Sequence, residues 1–95
     1  MNTNKIYIIV GETGAHDDRC EWVVYWTDDQ DRAHDYVELL TTEFNLQWDR
    51  YGDNIGWDHY AKIRDYMKQF DPYCAVDYTG TTYRVVPVDK IPTTH

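Results

Sequence analysis

Positive charge is what this sequence has least of. Nine Lys and Arg stand against 17 Asp and Glu, a formal net charge of -8. Nucleic-acid binding in its ordinary form needs a basic footprint to displace counterions, so direct nucleic-acid binding is excluded. An anionic membrane surface is excluded for the same reason. Cysteine is also sparse. Cys20 and Cys74 lie far apart and form no C-x-x-C pair, so two free thiols are expected and a paired-ligand zinc site is not. Long apolar runs are missing, and Ile6 to Val10 is too short and too polar at its flanks for a secretory signal. The expected location is therefore the cytoplasm. No G-K-[ST] loop is present, and no nucleophile stands at a readable spacing from a histidine.

Aromatic residues are abundant by contrast, with nine Tyr, four Trp and two Phe among 95 residues. They can build a core with few aliphatics, and Tyr and Trp also favour interfaces. Hydrophobic residues make up 42%, enough to predict a folded chain despite its charge. The length fits a single domain over 1–95 with one modest core.

"KIYIIV" at 5–10 and "EWVVYW" at 21–26 are β-branched and aromatic, and they read as two strands joined by a long polar hairpin loop. "TDDQ" at 27–30 fits a capping box with Thr27 as N-cap. Beyond it, Ala33, Tyr36, Val37, Leu40, Phe44, Trp48 and Tyr51 recur at helical spacing until "YGDNIG" ends the helix. A second helix is predicted from Trp57 to Phe70 on the spacing of Tyr60, Ile63, Met67 and Phe70, with Pro72 as its stop. "CAVDYTGTTYRVVPV" supplies a last strand and, at 74–78, an optional fourth; Pro87 belongs on an edge or near a strand end. The order is β-β-α-α-β. It predicts an α+β fold, an antiparallel three- to four-stranded sheet with two helices on one face.

The first helix carries an acidic stripe. On a wheel of 100° per residue, Asp28, Asp31, Asp35, Glu38 and Asp49 fall opposite the apolar face, and from 28 to 43 Arg32 is the sole Lys or Arg. An amphipathic helix solvates one side in any case. Yet like charges at i,i+4 are mildly destabilising, and a helix that keeps them points to a use for them. Asp28 to Glu38 spans about 15 Å at helical rise, with carboxylates about 5 Å apart. A phosphate strand advances about 3.4 Å per charge, a loose match that permits imitation of nucleic acid.

The two strands lack a polar face. Helices on one side are expected to leave Tyr7, Ile9, Val23 and Tyr25 on the other, as an exposed apolar patch available to a partner or a second copy. Other candidates give weaker patterns. "HDDRC" (His16, Asp17, Asp18, Cys20) offers ligand types without metal-site spacing. "GETG" at 11–14 is acidic and precedes a strand, which disfavours phosphate. His34, His59 and His95 are scattered, and "DYTGTTY" at 77–83 reads as a turn. No catalytic residue, metal or cofactor is expected.

"KIYIIVGETG", "CEWVVYW", the acidic "YVELL" helix and "FDPYCAVDYTGTTY" together resemble a set of small proteins encoded by phages and prophages. The resemblance implies no activity and no site residues. It implies a class of roles: binding and inhibiting a host machine such as a restriction or CRISPR defence complex. The expected function is a non-enzymatic, anti-CRISPR-like inhibitor in the host cytoplasm. Asp28, Asp31, Asp35 and Glu38, with Tyr7 and Tyr25, would meet a basic or nucleic-acid-binding host complex. The alternative is a self-associating assembly component or regulatory adaptor, a homodimer through the sheet.

Overall fold

The first strand sits at the centre of the sheet, hydrogen-bonded along both edges. The computed structural model describes residues 5–14, 19–52 and 55–89. Its elements are β1 (Lys5–Thr13), β2 (Cys20–Thr27), α1 (Gln30–Tyr51), α2 (Trp57–Met67) and β3 (Thr81–Asp89). The sheet order is β2-β1-β3, antiparallel throughout. The α+β class and the order β-β-α-α-β are as the sequence predicts, with three strands. Residues 74–78 form no strand; they lead into a turn closed by Gly80 N donating to Asp77 O at 3.0 Å. Pro87 lies on edge strand β3, where its missing N–H costs no ladder bond on the outer side.

β1 runs three residues beyond Val10, through Gly11, Glu12 and Thr13. Its odd positions, Tyr7, Ile9, Gly11 and Thr13, are buried, and the even ones are half-covered. The helices therefore pack on the Tyr7–Ile9 face, and the expectation that these two residues point outward is overturned. Both parities of "KIYIIV" are apolar, so that segment alone carries no facing signal. Glu12 carries one: it shares its face with Ile6, Ile8 and Val10.

β2 departs from simple alternation. Ile9 opposes Tyr25 and Val10 opposes Val23, so Val24 is an extra residue, a β-bulge. The bulge reverses parity along the strand. Trp22 and Tyr25 face the helices, while Val23 and Trp26 face away. Grouping Val23 with Tyr25 on one face, as strict alternation predicts, is thus incorrect.

α1 begins one residue after Asp29, whose Oδ1 accepts from Arg32 N at 3.1 Å; Asp29 and not Thr27 is the N-cap. Thr27 Oγ1 instead accepts from Asp29 N at 3.1 Å, fixing the approach to the helix. At its far end Gly52 takes φ 55°, a conformation that favours glycine. Ala33, Leu40 and Phe44 are buried from α1, and Tyr36, Val37, Trp48 and Tyr51 are packed around them, following the predicted spacing. α2 ends at Met67 rather than Phe70. It packs against α1 and sends Ile63 and Met67 into the core that contains Ile9 and Tyr83.

A buried carboxylate ties these layers together. Asp71, fully buried, accepts through Oδ2 from Trp22 Nε1 and from Tyr83 OH, both at 2.9 Å. Its Oδ1 accepts from Tyr73 N at 3.1 Å. One side chain thereby joins β2, β3 and the segment after α2. Trp22 reaches Asp71 by lying over Gly11, where an added Cβ would stand 2.5 Å from the indole. Gly11→Ala is therefore expected to destabilise the fold by about 1–3 kcal/mol through overpacking, checked by urea denaturation.

Candidate partner-binding surface

The N-terminal half of α1 displays its acids to solvent. Asp31, Asp35 and Glu38 are exposed at spacings of four and three, which puts them on one helix face. Asp28 is also exposed but precedes the helix, in a bend before the cap. The ladder is thus three carboxylates on α1, spanning about 10 Å, with a fourth at its base. Among the described residues the ion pairs are Lys5–Asp89, Arg64–Asp65, and Arg19 and Arg84 with Glu12 and Glu21. None of these pairs neutralises the α1 stripe.

An apolar flank borders the stripe. Tyr25 from β2 and Tyr36 from α1 set their rings 5.5 Å apart at 53°. With Leu39, Asp35 and Arg32 they line an open cleft of about 440 Å³. Tyr25 and Leu39 remain about 40% exposed there. Tyr36 is anchored by donating its hydroxyl to Phe70 O, and burial raises its pKa. Tyr25 therefore stands beside the acidic face, whereas Tyr7 is buried under the helices at 8% exposure and cannot meet a partner. Tyr7 is removed and Asp28 borders the sheet hollow lined by Ile6, Ile8, Val23 and Trp26, while Asp31, Asp35, Glu38 and Tyr25 form one neighbourhood. Leu39 completes it; its exposure could have been read from its place off the apolar spacing.

The other candidate clusters build structure. Glu12 of "GETG" lies inside β1 and pairs with Arg84 at 2.7 Å, while Gly14 N donates to Thr79 Oγ1 at 2.9 Å. Asp77 accepts from Thr79 N at 2.8 Å and from Thr13 Oγ1 at 3.1 Å, which makes "DYTG" a side-chain-closed turn. Burial alone would raise the Asp77 pKa, but these hydrogen bonds outweigh it and hold the carboxyl below its usual range. His59 accepts from Gly56 N at 3.0 Å and stacks on Tyr51, which starts α2. His34 is exposed on α1. His16, Asp17, Asp18 and His95 lie outside the described residues. Among the described residues no three His, Cys, Asp or Glu side chains gather as metal ligands, and no helix is long and apolar enough to cross a membrane.

The two thiols differ. Cys20 is exposed at the start of β2. Cys74 is buried beside Tyr83, with Tyr83 OH 3.6 Å from its Sγ, and burial pushes its pKa from 9.0 up to about 11. The folded chain keeps this proton after the unfolded chain releases it. The stability it contributes is thus complete below pH 9 and is lost as pH rises toward 11. Burial raises the Tyr83 hydroxyl too and adds to the same alkaline loss. Alkylation at neutral pH is expected to label Cys20 and spare Cys74 until the chain is unfolded, a result read directly by mass spectrometry.

No family model, curated protein or solved structure matches the chain.

Proposed function

We propose that the protein acts by binding: a small acidic phage-type inhibitor that uses the exposed face of α1 to engage a basic groove on a host defence complex. The reading rests chiefly on one observation: Asp28, Asp31, Asp35 and Glu38 stand solvent-exposed, with none of the chain's described ion pairs reaching them. A partner surface built for phosphates would supply the missing cations, in the manner of an anti-CRISPR or anti-restriction protein that imitates nucleic acid. Tyr25 and Leu39 would add apolar area at the edge of the stripe, where a lysine or arginine stem can pack. Inhibition would then be stoichiometric and need neither cofactor nor catalytic residue. It would take place in the host cytoplasm, where such complexes work.

The test is capture from host lysate by tagged wild type and by a triple variant, Asp31→Lys, Asp35→Lys and Glu38→Lys, read by mass spectrometry. The expected result is one dominant nucleic-acid-handling complex on the wild type and its absence from the variant. Equal capture by both would refute the role of the stripe.

A further inference from the structure

We propose that the cleft between β2 and α1 is a receptor for one arginine side chain of the partner, an inference that rests on the inhibitor reading and names the group that anchors it. The cleft joins two kinds of surface. Tyr25 and Tyr36 set their rings 5.5 Å apart, and Leu39 adds an aliphatic wall. Asp35 supplies a carboxylate to the same cleft. The aromatic walls are preformed. Tyr36 is held by its hydrogen bond to Phe70 O, and the bulge at Val24 sets the side on which Tyr25 stands. Tyr25 and Leu39 keep about 40% of their surface open to an incoming group.

Charge and shape together select the occupant. Asp35 makes none of the described ion pairs, although Arg32 lines the same cleft one helical turn away. Asp31 and Glu38 stand within about one turn of Asp35 and deepen the negative potential, so an anionic occupant is repelled. A purely apolar side chain would leave the Asp35 carboxylate without a cation. A flat, weakly hydrated cation satisfies both surfaces, and the guanidinium group is one. It stacks on an aromatic ring and pairs with a carboxylate through a fork of N–H donors, while its aliphatic stem packs on Leu39. The lysine ammonium is a strongly hydrated point charge with no plane to stack. Arginine is also the residue favoured where planar, bidentate recognition of phosphate matters, as in the groove proposed for the partner. Arg32 opposes the incoming charge, so removing it should strengthen the site.

N-acetyl-arginine methylamide and N-acetyl-lysine methylamide, titrated into the full chain at low salt and followed by NMR, test the cleft without any host protein. The arginine probe is expected to shift the signals of Tyr25, Asp35 and Leu39, and the lysine probe to bind about fivefold more weakly. Tyr25→Ala and Asp35→Asn should each weaken the arginine probe about fivefold, and Arg32→Gln should strengthen it. Asp35 and Arg32 are exposed, so their variants leave the core untouched. Equal binding of both probes would overturn the inference, because a diffuse acidic stripe attracts either cation alike. So would binding that withstands both Tyr25→Ala and Asp35→Asn. On the captured host complex, Tyr25→Ala should lower affinity about fivefold. A double variant, Asp31→Lys with Glu38→Lys, keeps the cleft lining and reports on the stripe alone. Loss of capture by the double variant with full affinity in Tyr25→Ala overturns the arginine site and leaves the inhibitor reading standing. Arginine binding as expected, with capture unaffected by the double variant, overturns the inhibitor reading instead.

Discussion

Reversal of Asp31, Asp35 and Glu38 to lysine lowers affinity for the captured partner by about 100-fold while leaving the fold intact. Each exposed charge pair contributes up to about 1 kcal/mol. Losing three pairs therefore removes about 3 kcal/mol, about two powers of ten in Kd before the new repulsion is added. All three residues are exposed on α1 and make none of the described ion pairs, so the variant should stay folded, melting at or a few degrees below wild type because Asp31 no longer complements the positive end of the helix dipole in the first turn of α1. The matched control is Asp58→Lys with Asp65→Lys, on the exposed side of α2. It removes comparable negative charge away from the stripe and should leave affinity within a few fold. Titration calorimetry against the purified partner distinguishes the two. Wild-type affinity should also fall steeply with salt, and the triple variant's salt slope should be shallower.

The second large effect is on stability. Asp71→Ala removes the acceptor of Trp22 Nε1, Tyr83 OH and Tyr73 N together. Two side-chain donors, from Trp22 and Tyr83, then lose their partner inside the core, at about 1–3 kcal/mol for each unsatisfied group. The expected loss is about 3–5 kcal/mol, a large share of the 5–15 kcal/mol available to a typical domain. Asp71→Asn keeps an oxygen acceptor and the side-chain volume, and should cost much less. Urea denaturation followed by Trp fluorescence checks both. Equal midpoints for the Ala variant and wild type would mean that the carboxylate does not join the layers as described.

The sequence made some of this legible and concealed the rest for definable reasons. α1 was readable because seven apolar residues recur at helical spacing over more than five turns, and the structure packs all seven against one core. The β-β-α-α-β order followed from the same punctuation, and Pro87 correctly marked an edge. The facing of the sheet was misread because "KIYIIV" is apolar on both parities. Only continuation of the strand to Glu12 distinguishes its sides. The bulge at Val24 was invisible, since an extra residue changes neither composition nor propensity. It is nonetheless what sends Tyr25 to the helix side and Trp26 to the other. Asp71 escaped notice because a lone acid before a proline resembles many loop residues. Its importance comes from Trp22 and Tyr83, which are 49 and 12 residues away in sequence. The acidic stripe was visible from charge spacing alone; its apolar flank needed the packing of β2 against α1.

The most direct measurement of the central claim is equilibrium competition for the purified partner between this protein and a short nucleic-acid duplex that the partner binds. If the α1 face occupies a phosphate-binding groove, the two ligands exclude one another. The duplex should then displace the protein at one-to-one stoichiometry, and the Asp31, Asp35 and Glu38 triple variant should fail to displace the duplex. Formation of a ternary complex, with neither ligand weakening the other and the triple variant binding as wild type does, would contradict the account.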